Sequence, residues 1–184
     1  MPRVHIPEEA ADSPTGYVYS QYVPKIGAAA AGLSVAVYEH SLLSPREMEG
    51  ARYRTAQING CSMCLEHRAV HNDTHLAGTH EFERPMHTRG ALPDEAFYEA
   101  VADWRHSPVF SPRERLTIAF AERIGLEPRS FDGDEAFWGE LHAHFTDAVI
   151  VDLTLSCASW VAMGRVTHIL GLDDHCRVPQ PVAA

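Results

Sequence analysis

The chain divides into apolar runs with helical spacing, and convincing strand alternation is absent throughout, so the pattern predicts helices and no sheet. The run GAAAAGLSVAVYEHSLL is rich in Ala and Leu without internal Pro, which predicts a core helix over residues 25–43 despite Gly27 and Gly32. Next comes Ser44-Pro45-Arg46-Glu47, where Ser44 can cap, Pro45 presets φ at the first helical position, and Glu47 can reach back to the cap. A helix should run from there to about Ile58. The same tetrapeptide returns as Ser111-Pro112-Arg113-Glu114, and the following RLTIAFAERI puts Leu116, Ala119, Phe120 and Ile124 on one face. Capping boxes are common, so coincidence explains this echo better than an internal repeat. Asn59-Gly60 ends one helix, and residues 61–76 resume with good helix formers and no Pro. Residues 77–92, rich in Gly, His and Pro, are expected to be a loop, and residues 94–105, 134–145 and 147–172 to be helices. Pro2, Pro7, Pro14 and Pro24 mark residues 1–25 as an irregular arm. The expected architecture is an all-α bundle of six to seven helices over residues 26–172, followed by a tail over 173–184.

Composition adds limits. At 184 residues, 45% hydrophobic and 22% charged, the chain suits one ordinary globular domain with a substantial core. A formal charge of −10 with no cluster of Lys and Arg argues against nucleic acid and anionic membrane surfaces as partners. No charged segment followed by an apolar one opens the chain, and no run of about 18 apolar residues occurs, so a cytoplasmic, reducing setting is expected, without membrane contact. Four cysteines, Cys61, Cys64, Cys157 and Cys176, are too few for a disulfide scaffold of this length, and in a reducing compartment a close pair is catalytic or metal-binding.

That pair is Cys61-Ser62-Met63-Cys64. On a helix advancing about 100° per residue the two cysteines lie about 60° apart and one turn removed, close enough for a reversible disulfide. Unsatisfied N–H groups and the positive dipole end at a helix start would favour thiolate. His67 follows by nearly one turn and His71 by two, which makes a thiol–imidazole–imidazole stripe along one face. Cys61, Cys64, His67 and His71 are all zinc-ligand types, but on one straight helix they would span about 15 Å, too far for one tetrahedral ion. No metal or other cofactor is therefore expected. Cys157, inside IVDLTLSCASWVAM, should pack as a small hydrophobe, and Cys176, near the tail, should be exposed.

The segment SPREMEGARYRTAQINGCSMCLEH resembles the signature of the alkylhydroperoxidase D-like (carboxymuconolactone decarboxylase) family: a helix bearing Glu, then Asn-Gly, then CxxC opening the next helix. FSPRERLTIAFAERI and HFTDAVIVDLTLSCASWVAMGRVTHILGL are similar to the family's later helices, so the likeness covers roughly residues 26–172. The resemblance implies an oligomeric all-α thiol peroxidase in which Cys64 attacks a hydroperoxide, Cys61 resolves the sulfenate as a disulfide, and an acidic residue, by position Glu49, assists proton transfer with a His. A dithiol protein or small thiol would regenerate the pair. Glu49 also lies just past the first turn of its helix, where a carboxylate is favoured by the dipole without any catalytic role. The family places its His four residues after the second cysteine; that position is Arg68 here, with His67 just before it. His67, which titrates near neutral pH, is expected to take over the proton handling, with Arg68 and His71 as accessory groups. Two other readings stay open: a muconolactone-type decarboxylase, which does not need CxxC, and a non-enzymatic redox- or metal-responsive module.

Overall fold

The computed structural model describes residues 1–76 and 80–173. Its α-helices are α1 (Pro14–Tyr17), α2 (Pro24–His40), α3 (Pro45–Asn59), α4 (Ser62–Glu66), α5 (Glu95–Ala100), α6 (Pro112–Leu126), α7 (Glu135–His144) and α8 (Asp147–Ile169). The fold is all-α, as expected, with one small exception. An antiparallel ribbon pairs β1 (His75–Leu76) with β2 (His80–Glu81).

The helix starts follow from local chemistry. Ser44 and Ser111 each accept a hydrogen bond from the N3 amide, and the Glu47 and Glu114 carboxylates in turn accept one from the cap amide, so both capping boxes are complete. Asp94, Asp134 and Thr146 cap α5, α7 and α8 in the same way. α3 stops at Gly60, whose φ of 68° places it in the left-handed region that glycine enters without strain.

The two Ser-Pro-Arg-Glu segments turn out to be coupled. Arg46 Nε lies 2.6 Å from Glu114 Oε1 and Arg113 Nε lies 2.5 Å from Glu47 Oε1. Each capping glutamate therefore serves its own helix start and clasps the arginine of the other helix. The Thr117 hydroxyl adds a hydrogen bond to the Glu47 carbonyl at 3.1 Å. α3 and α6 consequently lie side by side at the centre of the bundle, with α8 packed against both. One apolar cluster, including Met48, Phe120, Leu141 and Leu153, fills the space between these helices, and a second, built on Phe97, Tyr98, Val101 and Ile118, closes the side where α5 packs.

Three expectations need correction. Residues 1–25 are irregular only as far as Ser13, apart from one 3-10 turn at Glu8–Ala10: α1 then continues into a π-helical turn over Val18–Tyr22, and Pro14 and Val18 are buried. Pro14 and Pro24 stand at first helical positions, where proline starts a helix instead of breaking one. The second helix ends at His40, not Leu43, because Asp152 takes the Ser41 hydroxyl and the Leu42 amide, both at 2.8 Å. The CxxC helix ends at Glu66, ten residues early. The reason lies in the carbonyls: Cys64 O and His67 O, which a continuing helix would use, accept instead from the Arg52 guanidinium at 2.7 and 2.9 Å, while the Ala69 amide goes to the Tyr98 hydroxyl at 2.9 Å.

By length and composition α8, at 23 residues, is apolar enough to cross a membrane, and 39% of that window is buried in the bundle. The clasp is the testable element of the fold. In a double-mutant cycle on Arg46→Ala and Glu114→Gln, followed by urea unfolding, the coupling energy should be on the order of 1 kcal/mol; additive losses would show the pair to be a passive contact.

Candidate functional site

Cys61 and Cys64 are joined in a disulfide with their Cα atoms 5.3 Å apart. Cys61 is fully buried and serves as the N-cap of α4, its sulfur accepting the Cys64 amide at 3.3 Å. Cys64 is half-buried and lines a cavity of about 450 Å³ together with His67, Arg52, Tyr38, Met63 and Trp160. The two cysteines are thus inequivalent: Cys64 lines a cavity and Cys61 is fully buried.

The electrostatic support differs from the expectation. α4 is only five residues long, too short for much of a macrodipole. Its early amides are already engaged: Ser62 N donates to Asp173 Oδ2 at 3.2 Å and Leu65 N to Cys61 O at 3.0 Å. The cation beside the pair is Arg52, and it does not act alone. It meets Glu49 through two parallel bonds, Nε to Oε1 at 2.7 Å and Nη2 to Oε2 at 2.8 Å, and the Tyr98 hydroxyl donates to the same carboxylate at 2.7 Å. Glu49 is 0% exposed. Burial alone would push its carboxyl up, but the Arg52 charge and hydrogen bonds, aided by Tyr98, hold it below the usual range. Glu49 is therefore an ionised internal anchor, and its partner Arg52 carries the bonds to Cys64 O and His67 O.

His67 lines the cavity as anticipated, but on the non-helical segment after α4. Burial first, and then the Arg52 charge, push its pKa down to about 4. The ring is neutral at pH 7, which corrects the expectation of titration near neutrality. Asn72 Nδ2 lies 3.4 Å from His67 Nδ1 and 3.4 Å from Arg68 O. Its role as donor to both assigns the ring hydrogen to Nε2, which is shielded from solvent and has no partner among the described residues.

Arg68 is directed elsewhere. Its Nε meets Glu95 Oε1 at 2.8 Å, and its guanidinium stacks over the Tyr98 and Tyr53 rings at 4.4 and 5.3 Å. It is absent from the cavity lining, as is His71, whose Nδ1 is buried without a hydrogen-bond partner among the described residues. The expected one-face stripe does not form, because the helix that should carry it stops at Glu66. Cys157 is fully buried, and burial pushes its thiol far up, in keeping with an inert packing role. Cys176 lies outside the described residues. Among those residues no group of three or more His, Cys, Asp or Glu is placed to hold a metal ion.

Reading the sequence missed Arg52, Tyr98 and Asn72. Arg52 had a signal, since Glu49 and Arg52 are an i, i+3 ion pair on one helix. Tyr98 and Asn72 had none, because only the fold brings them to the site.

No protein-family model matches the chain. A curated relative, an uncharacterised Escherichia coli K12 protein named YnjA, is 34% identical over 83 residues, a stretch amounting to 44% of this chain and 44% of that protein. Two solved structures share the fold. One is a protein of unknown function from Agrobacterium tumefaciens, assigned provisionally to AhpD-type antioxidant defence, with 22% identity and a TM-score of 0.63 over 90% of this chain and 97% of that one. The other, an uncharacterised peroxidase-related protein with an alkylhydroperoxidase AhpD core from Ralstonia eutropha JMP134, has 20% identity and a TM-score of 0.63 over 92% and 90% of the two chains. The fold of this chain is therefore the AhpD-like helical fold.

Two outcomes follow from the buried charges. Arg52→Met leaves the Glu49 carboxylate buried and unpaired and should cost about 3–5 kcal/mol in urea unfolding; adding Glu49→Gln should recover part of that loss. Because the native pKa of His67 lies below its unfolded value near 6.5, the unfolded chain binds the proton more tightly in the interval between them. Stability should be full above pH 6.5 and fall as pH drops toward 4, by up to about 1.4 kcal/mol per pH unit. His67→Gln should remove that part of the slope; an unchanged slope would show that His67 is protonated as easily folded as unfolded.

Proposed function

We propose that the chain is a thiol-dependent peroxidase of the alkylhydroperoxidase D-like family, reducing hydroperoxides through Cys64 and Cys61. The observation that carries this is the placement of the pair, with Cys64 lining a cavity and Cys61 fully buried and disulfide-bonded to it. The Cys64 thiolate attacks the terminal oxygen of the hydroperoxide; the S–O bond forms, the O–O bond breaks, and the alkoxide leaves to become the alcohol. Cys61 then displaces the sulfenate oxygen as water and closes the disulfide, so the two thiols supply the two electrons and two protons consumed. A dithiol protein or small thiol reopens the pair by exchange at the accessible Cys64 sulfur. His67 contributes a neutral Nε2–H donor for the departing oxygen. Glu49 is a positioning residue, acting through Arg52. The chemistry belongs in a reducing, cytoplasmic setting.

Assembly is part of the reading. α8 exposes Val151, Leu155 and Ile169 along one face, and α2 exposes Ile26 and Leu33. Two packed helices with apolar outer faces are suited to a second copy of the chain, and light scattering should find an oligomer at micromolar concentration. For the chemistry, oxidation by cumene hydroperoxide should be followed by stopped flow and by trapping of sulfenate with dimedone. Cys64→Ser should abolish peroxide consumption. Cys61→Ser should support one oxidation and accumulate a trappable sulfenate. If sulfenate instead forms in the Cys64→Ser protein, the order of attack is reversed; if neither the wild-type nor the Cys61→Ser protein reacts, the peroxidase reading is wrong.

A further inference from the structure

The N-terminal arm reaches the cavity. Asp12 and Ser13, in the turn before α1, line it together with Trp160 and Met163 of α8. The arm is firmly seated: Arg3 N donates to Leu170 O at 2.8 Å, the Tyr22 hydroxyl to His5 O at 2.8 Å, and the Tyr19 hydroxyl to Met163 Sδ at 3.4 Å. Gly27 of α2 permits the close approach, since a Cβ there would fall 2.5 Å from Tyr19 O. The residues lining the cavity are mostly apolar or neutral. Arg52 has its charge met by Glu49, and the His67 ring is uncharged at pH 7. Among the described lining residues that leaves Asp12, which is exposed, as the uncompensated charge.

We propose that the arm is a specificity-determining wall, and that the Asp12 carboxylate makes the site select uncharged organic ligands over carboxylate-bearing ones of the same size. A carboxylate entering this cavity loses hydration, finds no free cation among the described lining residues, and passes a like charge. An alcohol or a neutral hydroperoxide meets no such penalty, and the apolar walls favour its hydrocarbon part.

The inference names the substrate class of the proposed peroxidase site, yet it is tested by binding alone. The disulfide form of the full chain is titrated with 4-isopropylbenzyl alcohol and, separately, with 4-isopropylbenzoate, at low salt and pH 7.5, by calorimetry and by fluorescence of the cavity-lining Trp160. The wild-type protein should bind the alcohol more tightly. Asp12→Asn should narrow the ratio of the two dissociation constants by about threefold, the size expected for a like-charge contact near solvent, and added salt should narrow it in the wild type alone. Gly27→Ala, which displaces the arm while substituting no lining residue, should narrow it as well. A wild-type preference for the benzoate, or a ratio unmoved by both substitutions, overturns the proposal. Retained selectivity in a protein that consumes no hydroperoxide would reject the peroxidase reading and leave this one standing.

Discussion

The buried guanidinium of Arg52 is the contact on which the site depends. A charge with side-chain exposure of 4% is tolerated only when paired and hydrogen-bonded, and here all three nitrogens are used: Glu49 on one side, Cys64 O and His67 O on the other. These bonds take carbonyls that would have extended α4, so one side chain both ends the helix and fixes the segment that brings Cys64 and His67 to the cavity. Because the Glu49–Arg52 pair is internally neutral, it can lie beside a reactive sulfur without imposing a net charge on the cavity.

The rigidity of that arrangement is inherited from α3. Glu49 and Arg52 both project from this helix, whose start is fixed by its own capping box and by the reciprocal ion pairs with α6. The two Ser-Pro-Arg-Glu segments could be recognised as helix starts in the sequence, and both are. Their mutual engagement could not, since a capping box is a local motif and the cross-pairing depends on the two helices lying side by side. An echo first attributed to coincidence thus has a structural use, in that each glutamate completes a cap and an ion pair at once.

The same division between local and tertiary signals accounts for the remaining agreement and disagreement. Helix starts with Ser, Thr or Asp caps, and the stop at Gly60, were legible because the deciding atoms lie within a few residues. The early end of α4 was not, because residues 61–76 contain good helix formers and the deciding partners, the Arg52 guanidinium as donor and the Tyr98 hydroxyl oxygen as acceptor, come from other elements. In the N-terminal arm the prolines suggest a broken chain, yet Pro14 and Pro24 stand at the first helical position, where proline is a starter. Of the candidate site residues, Cys61, Cys64, Glu49 and His67 come together as a group, whereas Arg68 and His71 are displaced by the end of the helix on which their inclusion rested.

The substitution of Arg68 where the resemblance calls for histidine has a physical consequence that helical spacing alone did not reveal. Arg68 could not replace an imidazole by proximity, since its guanidinium is occupied by Glu95 and the Tyr98 ring. His67 could not replace it as a base titrating near pH 7, since burial beside Arg52 keeps its ring neutral down to about pH 4. What remains available is a neutral ring whose hydrogen is set on Nε2 by Asn72. In the proposed peroxidase cycle, such a ring would act as a hydrogen-bonding group without titrating near neutrality, and the protons themselves would come from the two thiols. A site built in this way needs no relay to balance the reduction of a hydroperoxide. Its rate near neutral pH should follow the thiolate fraction of Cys64 and not the titration of a histidine.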